Sequence, residues 1–108
     1  MKQQNEIKDL KHIIKVLNHL RDIDIHMSLT QALIFLMVCD EPGITMYDIQ
    51  ITLNSDSGVI SHCVKKLCLY KDKEEVKGHD LLKKEQVFDK LALHLTKKGE
   101  ALKAKILT

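Results

Sequence analysis

The sequence predicts one mainly α-helical domain with a small β-hairpin near its C-terminal end, in the order α-α-α-α-β-β-α. Three observations carry this expectation. Apolar residues recur at three- and four-residue steps through several separate stretches, as they do in helices that bury one face. Helix-start signals stand at "SLTQ" (Ser28 to Gln31) and "TMYD" (Thr45 to Asp48), where a hydroxyl and a side chain three residues on can satisfy each other's backbone amides. One stretch, "LALHL", alternates every second residue, which is the period of a strand.

The elements follow in chain order. Residues 6–21 place Ile7, Leu10, Ile14 and Leu17 at alternating three- and four-residue steps, and Ile13, Val16 and Leu20 widen the stripe. A stripe this broad serves a core face plus a partner face. "RDIDIHM" breaks the pattern. From a cap at Ser28 a strongly apolar helix runs to about Cys39, and "DEPG" ends it because Pro and Gly both interrupt helices. A short helix spans Thr45 to Leu53 with Ile49 and Leu53 inward, and Asn54 and Ser55 make a tight turn. Ser55 or Asp56 caps the next helix, which carries Ile60, Cys63, Val64 and Leu67 on one face and ends near Leu69. "YKDKEEVKGHD" reads as a polar connection with Gly78 as its turn residue. "LLKKE" and "LALHL" then flank "QVFDK" as a two-stranded hairpin, with Leu91, Leu93 and Leu95 on one face. Thr96 caps a closing helix over residues 97–107, patterned by Ala101, Leu102, Lys105 and Ile106.

At 108 residues the chain supports a single core, so residues 1–108 form one domain. The formal net charge of +2 is too small to reveal a partner, but its distribution is uneven. Residues 65–98 hold ten Lys against six acids, whereas residues 45–64 hold two acids and no basic residue. A basic second half suits a polyanion. The three cysteines (Cys39, Cys63 and Cys68) form no C-x-x-C, which predicts free thiols in a reducing, intracellular compartment. Cys68, after two lysines, is the candidate for a redox-sensing thiol. "MKQQNEIKDL" lacks the apolar centre of a secretory signal, and the longest apolar run, "ALIFLMVC", is far short of the roughly twenty residues that span a bilayer. The expected location is cytoplasmic, with no membrane partner.

Enzyme chemistry finds no support. G-x-S-x-G, P-loop and H-E-x-x-H patterns are all missing from the sequence, and His62 and Cys63 are helix neighbours that point different ways. His12, His19 and His26 repeat every seven residues, but that spacing rises about 10.5 Å along a helix, too far for two ligands on one ion. No metal or cofactor is expected. An aromatic content of 4% also disfavours a single-strand binder that stacks bases.

A short helix joined by a few residues to a second helix is the helix-turn-helix pattern, and a β-ribbon directly after it supplies a wing. The predicted fold is therefore a winged helix-turn-helix. A recognition helix enters the major groove by its N-terminal residues, so small side chains there let the backbone come close. Ser57, Gly58, Ser61 and His62 fit that need, with Thr45 and Ser55 beside them, while Lys65 and Lys66 reach flanking phosphates. The amino end of the helix itself also favours a phosphate oxygen. Lys83, Lys84 and Lys90 would give the wing its phosphate contacts. The plainer alternatives are a solvated helix face for the first group and a charged strand edge that blocks pairing for the wing lysines.

The run "LTQALIFLMVCDEPGITMYDIQITLNSDSGVISHCVKKL", followed at a distance by "LHLTKKGEAL", resembles the winged-helix MarR family of transcription regulators. The counterparts are Leu29-Thr30, Pro42-Gly43 with Thr45, and Leu95-Thr96 with Gly99, within a match over about residues 28–108. The resemblance implies a homodimer with one winged helix per half-site of a palindromic operator. It also implies that the first and last helices form the dimer interface, which here means Ile7, Leu10, Ile14, Leu17, Leu102 and Ile106. A full family member dimerises through about one more helix, so residues 6–21 are expected to carry most of this contact. The family's wing usually offers an Asp-Arg pair to the minor groove. Asp89-Lys90 lies near that place but out of register, and the one Arg of the chain is Arg21.

The expected function is sequence-specific binding of double-stranded DNA as a homodimer, with repression by occupying the operator. Effector and operator are not legible. Two rivals stand beside it: a winged helix of plasmid or phage partition or replication, and a protein-interaction winged helix that never touches DNA.

Overall fold

The computed structural model describes residues 2–108, with side chains from Asp9 onward. The side chain of Ile7, assigned above to a dimer interface, lies outside the described residues. The elements are α1 (Lys2–Ile23), α2 (Leu29–Asp40), α3 (Met46–Leu53), α4 (Ser57–Leu67), β1 (Tyr70–Asp72), β2 (Glu75–Lys77), β3 (Leu82–Val87), β4 (Lys90–Leu95) and α5 (Lys97–Leu107).

Local chemistry sets the helix starts. Ser28 Oγ accepts from Gln31 N at 3.1 Å while Gln31 Oε1 accepts from Ser28 N at 3.2 Å, the full reciprocal cap expected for α2. Thr45 Oγ1 accepts from Asp48 N to start α3, and Thr96 Oγ1 accepts from Gly99 N to start α5. The cap of α4 is Asp56, whose Oδ1 accepts from Val59 N at 2.9 Å. This settles the choice between Ser55 and Asp56.

One core gathers every helix. Ile34, Phe35 and Val38 of α2, Ile49 of α3, and Ile60, Val64 and Leu67 of α4 are sealed with Leu81, Leu82 and Leu93 at the base of the second hairpin. Leu20 brings the C-terminal half of α1 onto this core, and Leu102 and Ile106 close it from α5.

The β3–β4 hairpin is the wing. It pairs antiparallel from Leu82↔Leu95 to Val87↔Lys90, so its loop is only Phe88-Asp89. The strands thus run further than "LLKKE" and "LALHL", and most of "QVFDK" is strand rather than turn. Backbone bonds hold the wing base to the α2–α3 turn: Gly43 N donates to Leu93 O at 2.8 Å, and Leu93 N donates to Ile44 O at 2.9 Å. A bridge between Thr45 and Ala92 continues that seam to the start of α3. At the other side Gly99 lies so close to the Leu81 carbonyl that a Cβ there would collide with it. That approach docks α5 against the wing.

Four expectations need correction. The segment read as a polar connection holds a second hairpin, β1–β2, paired Tyr70↔Lys77 to Asp72↔Glu75. Its loop residues Lys73 and Glu74 have φ of 52° and 71°, the backbone of a two-residue type I′ turn, which Asn-Gly or Asp-Gly normally advertises. Lys-Glu gives no such signal. Helix α4 stops at Leu67 rather than near Leu69, because Cys68 is extended and bridges to Leu82. Leu102 and Ile106 are 5% and 6% exposed in the protomer, so they serve its own core and leave little surface for a dimer. Cys68 is buried too, and burial pushes its thiol pKa up, the opposite of the activated thiol a redox sensor needs.

Candidate nucleic-acid interface

The α3–α4 pair is held by a turn built from two residues. Asn54 takes the left-handed conformation, φ 49°, that an Asn tolerates better than most residues. Its N–H donates back to the end of α3, and Ser55 N donates to Gln50 O at 3.2 Å. Ser55 is half-buried in this turn, and Thr45 is half-buried with its hydroxyl engaged as a cap. Both position the motif from within.

On α4 the four apolar residues face the core, and the opposite face is open. Ser57, Gly58, Ser61, His62, Lys65 and Lys66 are all exposed, and Val59 joins them at 44%. The bare leading end foreseen from the sequence is therefore a free surface of the protomer. Its electrostatics differ from the expectation in one respect. The amino end of a helix attracts anions, but here the Asp56 carboxylate already sits there on Val59 N. A phosphate is better served by the lysines than by this helix terminus.

Those lysines fall into two groups. Lys65 from the end of α4 lines one cleft with Lys83, Lys84 and Asp80, about 320 Å³ in volume, and its Nζ stands 4.8 Å over the centre of the Tyr70 ring. Cation–π contact holds the ammonium in place without neutralising it. Lys90 belongs to a separate cleft of about 440 Å³ across the wing, shared with Thr45, Met46, Tyr47, Asp89 and Leu91. Lys66 faces a third group made by Asp24, Tyr70, Gly78 and His79. The three wing lysines taken together from the sequence thus lie at two places, one beside the end of α4 and one beside the start of α3.

Two histidine–carboxylate contacts stiffen the supports. His94 Nε2 meets Glu85 Oε2 at 3.0 Å within the wing. His79 Nε2 meets Asp24 Oδ2 at 3.2 Å, joining the α1–α2 loop to the segment after the first hairpin. Among the described residues there is no group of three or more His, Cys, Asp or Glu suited to a metal ion, and no helix is long and apolar enough to cross a membrane.

Three aromatic residues at this surface escaped the sequence analysis. Tyr70 lies under Lys65, Tyr47 is 60% exposed in the first turn of α3, and Phe88 at the wing tip is 96% exposed. For Phe88 the signal was present: an aromatic inside a turn between two strands has no core to enter.

No protein-family model and no curated protein matches the sequence. Solved structures do match. The transcriptional regulator Tm0710 from Thermotoga maritima superposes with a TM-score of 0.71 at 16% identity, over 98% of this chain and 69% of that one. A MarR protein from Peptoclostridium difficile gives 0.63 at 19% identity, over 99% and 66%. Reduced AbfR bound to DNA gives 0.56 at 19% identity, over 99% and 80%. The fold is therefore that of the MarR-type winged helix-turn-helix regulators, and the chain spans about two thirds of the length of the first two.

Proposed function

We propose that this chain is a DNA-binding transcriptional regulator that acts as a homodimer on a palindromic operator in the cytoplasm, most simply as a repressor. One observation carries the reading: the exposed, small-residue face of α4 stands between an anchored turn and a lysine-lined wing. Ser57, Gly58, Ser61 and His62 approach base edges in the major groove. Lys65, Lys83 and Lys84 neutralise phosphates on one side of that groove, and Lys90 does so on the other. Repression follows from occupancy, because a bound dimer excludes polymerase from the operator. Nothing in this chemistry requires a cofactor or catalysis.

The dimer rests on α1. Leu10, Ile13, Ile14 and Leu17 are 59%, 51%, 58% and 42% exposed, while Val16 and Leu20 point into the core. The first half of the helix thus shows water an apolar face that a second copy would cover. Selection of bound duplexes from a random DNA pool tests the proposal. The expected winners contain an inverted repeat whose half-sites lie about one helical turn, roughly 34–36 Å, apart or at a multiple of it. An array of direct repeats would favour partition or replication, and winners with no shared sequence would overturn specific recognition.

A further inference from the structure

The segment between β2 and β3 is fastened to the end of α4 by its backbone. His79 N donates to Lys66 O at 3.0 Å, and Leu81 N donates to Leu67 O at 2.8 Å. Gly78, with φ of 102°, lies so close to the Cys68 carbonyl that a Cβ there would collide with it. His79 is therefore fixed to the end of the recognition helix. Its side chain sets Nε2 3.2 Å from Asp24 Oδ2. Asp24 is the first residue after α1, and it is anchored too. Its N–H donates to Leu20 O at 3.3 Å, its carbonyl accepts from Met27 N at 3.0 Å, and its Oδ1 accepts from His26 N at 2.8 Å. The side chains of His79 and Asp24 are 19% and 29% exposed, and Lys66 and Tyr70 line the same cleft. Partial burial keeps such a contact from being screened as one on open surface would be.

From these contacts we propose that Asp24 and His79 form a strut that sets the angle between α1 and α4, and thereby the half-site spacing that the dimer accepts. The inference rests on the reading above, in which α1 carries the dimer and α4 reads DNA. It goes beyond that reading by assigning the choice of spacing to two positioning residues. Helix α1 also rests on the core through Val16 and Leu20. Apolar packing is non-directional, so it allows a small tilt that a link between two anchored groups resists. The lever is long. Leu10, on the open apolar face of α1, lies fourteen residues before Asp24, about 21 Å along the helix. A tilt of roughly 10° about Asp24 displaces Leu10 by about 3.6 Å, close to the roughly 3.4 Å rise of one base pair. A small change of angle at the strut thus becomes a full step of half-site separation.

The test uses the full chain and the inverted repeat recovered from the random-pool selection, with its half-sites moved together or apart by one and two base pairs. Wild-type protein should bind the altered spacings about tenfold more weakly, since each must be absorbed by deforming DNA or protein. Asp24→Ala and His79→Ala should each cut that difference to about twofold and leave base preference inside a half-site unchanged. The double variant should behave like either single one, because the two residues share one interaction. His79→Gln, which keeps a donor at a similar reach, should retain the wild-type discrimination. Sedimentation should show dimers throughout, and thermal melting should show every variant folded at the assay temperature. Wild-type protein indifferent to spacing, or single variants that keep its full discrimination, would overturn the strut while leaving the regulator intact. Loss of the dimer, or of base preference together with spacing, would overturn it in favour of a general role in folding. Wild-type protein that selects no inverted repeat would overturn both readings at once.

Discussion

The side chains of α4 divide by neighbour rather than by type. Ile60 and Val64 have no alternative to the core, while Ser61 and His62, between them on the same turn, are exposed to solvent. If these two read bases, Ser61→Ala and His62→Ala should each weaken the preferred site by about 1–3 kcal/mol and leave nonspecific binding nearly unchanged. Competition binding with selected and scrambled duplexes checks this, and full retention of preference by both variants would remove α4 as the reader. The cysteines make a second case at this scale. Burial pushes the Cys39 thiol up to about 11 from 9.0, with Glu100 adding to the rise and Lys103 opposing it. At pH 8 that leaves about a hundredfold less thiolate than an ordinary thiol has. Alkylation of Cys39 by iodoacetamide, followed by mass spectrometry, should accordingly be slow in the native protein and fast in denaturant. The folded thiol holds its proton to higher pH than the unfolded one. Its contribution to stability is therefore complete below pH 9.0 and fades as pH rises through about 11.

The wing is a hairpin whose function depends on where its two strands are held. Lys84 lies by Lys65 and the recognition helix, and Lys90 lies by the start of α3. Each should touch phosphate, which carries charge but little sequence information. Lys84→Ala and Lys90→Ala should lower affinity for all sequences alike and reduce the salt slope by about one unit each. Filter binding across a salt series checks both. If Lys90→Ala shifted base preference while the salt slope stayed constant, Lys90 would be a reader rather than a clamp. The strand alternation in "LALHL" was legible because Leu93 and Leu95 face the core. The β1–β2 hairpin was not. Its residues are exposed or only half-buried, so no apolar period marks its strands, and its Lys73-Glu74 loop lacks a turn signature. Hydrogen bonds from His79 N to Lys66 O and from Leu81 N to Leu67 O gather the chain just after it. Closure of that longer excursion brings the two short strands together.

At the scale of the whole molecule, α1 is the element with surface to spare. The long axis of the protomer is 51 Å against 29 and 23 Å, and the exposed apolar residues of α1 continue into Ile25, Leu29 and Leu33. A dimer built on this face buries what a monomer would leave wet. Leu10→Asp combined with Leu17→Asp should give monomers and abolish tight operator binding, since each protomer would then hold only one half-site. Sedimentation at micromolar concentration checks the first part, and a wild-type monomer there would sink the dimer. The variant should stay folded, because neither leucine is part of the buried core.

The caps of α2, α3 and α5, the Asn54 turn, and the order of helices and wing were determined by the sequence alone. Each depends on residues three or four apart, so the hydrogen bond or apolar period that creates it is written in one short window. Ser28 with Gln31 is the clearest instance, with both bonds formed as the spacing requires. Only the tertiary structure decided which apolar residues are spoken for. Leu17 and Leu102 look alike in a periodic stripe, yet one is 42% exposed and the other 5%. The difference comes from what packs across from them: α5 lies over the sealed core, whereas no described element of the protomer covers the open face of α1. The same holds for Phe88, an ordinary core-forming residue that the two-residue loop carries away from any core. Burial is a relation between distant segments, and a single stretch of sequence states only one side of it.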